Sequence, residues 1–139
     1  MKVYIDSNVI IDVLQNREPF FNDSYNVIKH GIDGGLETIT GASDLANIYY
    51  IIRKSLNDPV MAREKIFILS NFVKICNCTP EDIAKALLLF MPDFEDSVVA
   101  AAAKREKADF IITRNEADFE NSPVPAISPS LFLSRFYAN

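Results

Sequence analysis

Five short runs of mostly β-branched and aliphatic residues punctuate the chain: Lys2–Ile5 (KVYI), 36–40 (LETIT), 73–76 (VKIC), 109–113 (DFIIT) and 124–127 (VPAI). Between the first four lie segments with helical periodicity. Parallel strands need a crossover of a dozen or more residues, and a helix is the usual form it takes. Strand–helix alternation therefore predicts an α/β chain whose central sheet is mainly parallel and covered on both faces. The expected architecture is a three-layer α/β/α fold with about five short strands, in one domain over residues 1–139.

The helices carry their own signals. Residues 8–14 follow the first strand at once, with Asp6 or Ser7 available as a cap. Pro19 interrupts NREPFFND, and Asn22 or Asp23 can open a helix over 24–32 that ends in GIDGG. Residues 42–55 repeat Leu45, Ile48, Tyr49 and Ile52 at the helical interval. A helix over 59–72 follows the Asn57-Asp58-Pro59 break. Thr79-Pro80-Glu81-Asp82 reads as a cap, a first-turn proline and two first-turn acids, with the helix running to about Met91. Pro92 stops it, Asp93 caps a helix over 94–107, and a last helix spans 129–137.

There are 19 acidic and 14 basic residues, a net charge of -5 and a pI near 4.8. That balance argues against nucleic-acid binding driven by broad positive charge. It leaves open nucleic acid held locally through bound cations, which invert the local charge logic. The longest apolar runs are too short to span a bilayer, and the N-terminus lacks a signal-peptide pattern, so a soluble, cytoplasmic protein is expected. Cys76 and Cys78 form a C-x-C without further ligands at metal spacing, which reads as reduced thiols in or beside a strand. His30 is the only histidine and has no obvious partner.

The acids fall at telling places. Asp6 follows the first strand, and Asn115 and Asp118 follow the fourth. Asp93 and Asp96 open a helix, and Asp44 and Asn47 lie one turn apart on one helical face. Each has a structural explanation as a cap, a turn or a macrodipole partner. Ligands in parallel α/β folds, however, sit at the carboxyl ends of strands near the reversal of strand order. Carboxylates converging there without Lys or Arg would call for a hard divalent cation, Mg²⁺ or Mn²⁺. A receiver-like phosphotransfer pocket would instead want a Lys at the end of a late strand, where this chain has Thr113-Arg114.

VYIDSNVIIDVL, SDLANIYYIIRK, DFEDSVVAAAAKREKADFIITRNEADF and VPAISPSLFL, in that order, resemble the PIN-domain family over essentially the whole chain. The resemblance implies Mg²⁺- or Mn²⁺-dependent cleavage of RNA leaving 5′-phosphate and 3′-hydroxyl ends. Many small bacterial and archaeal members are toxins of VapC-type toxin–antitoxin pairs, so it also implies a small antitoxin partner and a homodimer. By the same resemblance Asp6 and Asp96 anchor the metal, Asp93 and Asp118 are companion acids, and Asn115 stands where members carry Asp or Asn. Ser7 and Asn8 match the family's D-[ST]-N. Asn47 departs: it stands where the family usually has Glu. A neutral amide offers only a carbonyl oxygen, and Asp44, about 5 Å away along the axis, would have to substitute. A weakened or inactive RNA- or protein-binding module is the alternative. Arg114 is a further candidate, for phosphate contact. The basic groups Lys104, Arg105, Lys107 and Arg53, Lys54 read as solvated faces.

Overall fold

The structure, a computed structural model, describes residues 1–138. Its elements are β1 (Lys2–Ile5), α1 (Ser7–Leu14), α2 (Phe21–Ile32), β2 (Glu37–Gly41), α3 (Ala42–Leu56), α4 (Pro59–Ser70), β3 (Lys74–Cys76), α5 (Pro80–Ala86), α6 (Phe94–Arg105), β4 (Phe110–Ile112), β5 (Ala126–Ile127) and α7 (Pro129–Phe136), with a 3₁₀ turn over Glu116–Phe119. The strands form one parallel sheet in the order β3-β2-β1-β4-β5. From β1 the chain builds outward to β3, then returns to lay β4 on the other side of β1. Strand order thus reverses between β1 and β4, which is where α/β sheets open a crevice at their carboxyl ends.

Alternation along the strands fills two cores. Val3, Ile5, Ile112 and Ile127 face Val9, Ile10, Val27, Ile48, Ile52 and Phe132. Tyr4, Ile39 and Ile111 face Val99, Ala100, Ala103 and Phe119. The small residues of α6 let that helix approach the sheet closely. Each buried aliphatic side chain contributes roughly 1.5–3 kcal/mol of transfer free energy, so both layers hold the sheet between them. Among the described residues, no helix is long and apolar enough to cross a membrane.

Several boundaries differ from expectation for local reasons. α2 starts at Phe21, not Ser24, because the Phe20 and Phe21 amides both donate to the Arg17 carbonyl (3.0 and 2.8 Å), so the loop winds directly into the helix. Neither Asn22 nor Asp23 caps it, and Phe20 at the cap position makes no side-chain bond. α5 ends at Ala86, not near Met91. The Leu88 and Leu89 amides donate three residues back, to Lys85 and Ala86, and the exposed Leu87 and Leu88 gain no core contact by continuing the helix. Strand β3 ends at buried Cys76, leaving Cys78 exposed beyond it, and both thiols are free. His30 does have a partner: its ring stacks on Tyr137 with centroids 3.7 Å apart. Arg105 is no solvated residue either. Its Nε donates to buried Asp82 at 2.9 Å, and it also pairs with Glu106.

Candidate active site

The junction of β1 and α1 needs no glycine or proline because Asp6 alone makes it. Its backbone is extended, its amide continues the ladder to the Ile112 carbonyl at 2.9 Å, and its own carbonyl accepts from Val9 and Ile10. Its carboxylate caps α1, accepting from the Ser7 amide at 2.9 Å. The same carboxylate accepts from the Thr113 hydroxyl at 2.9 Å and the Asn8 amide at 3.4 Å. Capping and site geometry therefore coexist in one residue.

Asn8 and Thr113 clamp the ends of β1 and β4 together. The Asn8 side chain donates to Thr113 Oγ1 at 3.2 Å and accepts from the Arg114 amide at 3.3 Å. Thr113 Oγ1 also accepts from the Asn115 amide at 3.1 Å. Asp6, only 8% exposed, is fixed by three donors at the reversal of strand order.

Around it a cleft of about 320 Å³ opens, walled by Asp6, Asp44, Asn47, Glu95, Asp96 and Asn115, with Ser7 and Arg17 at its margin. Asp93 and Asp118 are exposed and lie outside this lining, yet their charges reach it. Burial pushes the Asp6 carboxyl above its usual range against the hydrogen bonds from Thr113 and Ser7, and the charges of Asp118 and Asp93 push it further. Burial, then Asp6, Asp93, Asp118 and Glu95, raise Asp96 to about 7. Burial raises Asp44 to about 6, opposed by a hydrogen bond from the Tyr4 hydroxyl.

Chain-distant acids thus repel one another at one rim. Among the described residues, none of the ion pairs includes Asp6, Asp44, Asp93, Glu95, Asp96 or Asp118. Hard oxygen donors that form no ion pair fit Mg²⁺ or Mn²⁺ by chemistry. They are not drawn into a finished cage: among the described residues no three His, Cys, Asp or Glu side chains are grouped closely enough to hold an ion.

The remaining candidates divide. Asn47 and Asp44 both reach the cleft. Asp44 is engaged by Tyr4, and Gly41 makes room for that pair, since a Cβ there would lie 2.5 Å from the Tyr4 hydroxyl and 3.1 Å from the Asp44 carboxylate. Arg114 turns away. Its guanidinium is bidentate to Asp12, which is fully buried on α1, and lies 4.0 Å from the Phe20 ring centroid. Sequence reasoning did not single out Asp12, Tyr4, Glu95 or Arg17. A lone acid inside the apolar VIIDVL was the available signal for Asp12. Tyr4 reads only as a strand residue, Glu95 as a first-turn acid, and Arg17 as part of a loop.

The PIN domain family profile matches residues 2–117. Ribonuclease VapC1 of Aquifex aeolicus (strain VF5) is 24% identical over 140 residues, covering 97% of this chain and 95% of that protein. Among solved structures, VapBC2 from Rickettsia felis bound to a promoter DNA fragment superposes with a TM-score of 0.71 at 16% identity, covering 92% of this chain and 98% of that one. DNA-bound VapBC from Salmonella typhimurium gives 0.71 at 14% identity, over 93% and 98%. At such identities the structural likeness speaks for the fold alone, and the profile match over most of the sequence carries the assignment: the chain belongs to the PIN-domain family.

Proposed function

We propose that this protein is a divalent-metal-dependent ribonuclease that hydrolyses RNA phosphodiester bonds as the toxin of a toxin–antitoxin pair. The observation that carries this reading is the meeting of Asp6 and Asp96 in one cleft with neither in an ion pair. The relation to a ribonuclease VapC1 supports the reaction class, and the VapBC neighbours support a small antitoxin as partner.

Asp6 and Asp96 would hold Mg²⁺ or Mn²⁺, with Asp93, Asn115 and Asp118 around them. When bound, such an ion supplies charge neutralisation at phosphate and an activated water. The chain's own residues do the rest. Ser7, Asn8 and Thr113 orient the Asp6 carboxylate. Without an ion the Asp96 carboxyl is raised to about 7, so it would give up its proton on binding one. Arg17 is the base at the cleft margin, suited to a substrate phosphate. Arg114 serves as a strut through Asp12. The exposed Tyr50 on α3 and Val60 and Phe67 on α4 offer apolar surface for a homodimer or the antitoxin, and the RNA substrate puts the protein's work in the cytoplasm.

The test is incubation of purified protein with structured RNAs and Mg²⁺ or Mn²⁺. Cleavage is expected, stopped by EDTA and lost in Asp6→Ala and Asp96→Ala; cutting that survives both substitutions overturns the assignment. A second reading, a weakened or inactive binding module, is favoured by one observation: Asn47, one of the residues lining the cleft, is neutral. Asn47→Glu separates the two. A large gain in cleavage marks a working site short of one charge, and no gain with an inactive parent marks the module.

A further inference from the structure

We propose that a second pocket beside the acidic cleft receives one unstacked nucleobase of the RNA, with Phe94 as its stacking face. The inference rests on the ribonuclease reading and adds to it how the substrate is held. The pocket, about 280 Å³, lies between α3, α5 and α6, and shares Asp44, Asn47 and Glu95 with the acidic cleft. Its volume falls just below the ~300–1,000 Å³ of sites for drug-sized ligands, the scale of one ring system. A strand with its phosphate in the first cleft brings an adjacent base to the second across this common wall.

Phe94 is the first residue of α6 and is 47% exposed. It belongs to neither core cluster among the described residues. Its backbone is nonetheless fixed, because Asp93 caps α6 by accepting from the Asp96 amide at 3.0 Å. Ile83 and Val98 make the neighbouring walls apolar. Aromatic side chains on a fixed backbone are surfaces on which single-stranded RNA bases stack.

The polar side of the pocket is rich in acceptors. The Asp44 carboxylate is engaged by Tyr4, but Glu95 enters no ion pair and its side chain makes no hydrogen bond among the described residues. A free carboxylate suits a base edge carrying adjacent N–H donors. Guanine, with its N1–H and 2-amino group, matches best. Uracil, with one N–H flanked by two carbonyls, matches worst.

Two measurements on the full chain test this. In steady-state cleavage of short single-stranded RNAs, Phe94→Ala should raise KM roughly 5- to 150-fold, the loss of one stacked base, leave kcat nearly unchanged and flatten the preference for G over U. Phe94→Tyr should restore both. The second measurement needs no turnover. Cys78 is free, exposed and lines this pocket, whereas Cys76 is buried, with its thiol pushed up to about 11 by that burial. Iodoacetamide should therefore modify Cys78 selectively, and a G-containing oligonucleotide in Mg²⁺ should protect it where oligo-U does not. Active enzyme in which Phe94→Ala changes neither KM nor base preference overturns the pocket and spares the ribonuclease assignment. If neither the parent nor Asn47→Glu cuts RNA, that assignment fails, and Cys78 decides the pocket alone: G-selective protection upholds it and unprotected alkylation overturns it.

Discussion

Replacing Asp96 by Asn should make the metal-free protein more stable. Asp96 is held at about 7 by burial and by the charges of Asp6, Asp93, Asp118 and Glu95, against an ordinary 3.8. That rise would correspond to about 4 kcal/mol at ~1.36 kcal/mol per tenfold change in proton affinity. The side chain is only half-buried, so solvent screening reduces this to about 1–2 kcal/mol. Well below pH 3.8 the carboxyl is protonated in both folded and unfolded chains, and the substitution is neutral. As pH rises toward about 7 the unfolded chain ionises first, the folded chain keeps its proton, and parent stability falls. The penalty is complete above about pH 7, where Asp96→Asn should raise the melting temperature by about 3–8 °C in EDTA. Saturating Mn²⁺ should reverse the order. An ion at a hundred times its dissociation constant adds about 2.7 kcal/mol to the parent, and the variant should lose most of that gain. Thermal unfolding near pH 4 and pH 8, with EDTA or MnCl₂, reads all four states. A variant less stable than its parent in EDTA near pH 8, or one with an undiminished Mn²⁺ shift, would refute the reasoning.

Three further outcomes are expected. Gly41→Ala places a Cβ 2.5 Å from the Tyr4 hydroxyl and should cost about 1–3 kcal/mol in urea unfolding, as overpacking does; adding Tyr4→Phe should recover part of that loss, and an additive double variant would mean the clash lies elsewhere. Asp12→Ala removes the buried partner of Arg114 and should cost about 2–3 kcal/mol, less than a fully buried pair because the guanidinium can swing toward water; a cost within error of zero would contradict the strut. Asp82 is held below its usual range: burial opposes this, but the Arg105 guanidinium and the Thr79 contacts prevail. Its contribution to stability should be full above about pH 4 and vanish as pH falls through the depressed folded value, so Arg105→Met should flatten the acid limb of the stability profile.

The strands, most helices and the layer arrangement were legible because they rest on local periodicity. KVYI and DFIIT state their own conformation, and Ile48 and Ile52 occupy the predicted buried stripe of α3. Strand order was not legible. Nothing local says that β4 pairs with β1 rather than β3; packing across the sheet decides that. The site followed the same division. Asp6 and the Thr113–Asn115 turn stand out as polar residues at strand ends, but their clamp through Asn8 spans more than a hundred residues of chain. Arg114 looked available because its partner lies on α1. The end of α5 was misjudged because apolar Leu87–Leu89 reads as helix core while the fold leaves Leu87 and Leu88 in solvent.

Placing β4 against β1 has a temporal consequence. Asp6 is synthesised 107 residues before Thr113, the neighbour whose hydroxyl locks its carboxylate. A growing chain therefore lacks the ordered acidic cleft until Thr113 has been added and β4 can fold back onto β1. The cleft is a late product of synthesis, and a fragment that stops before β4 cannot assemble it.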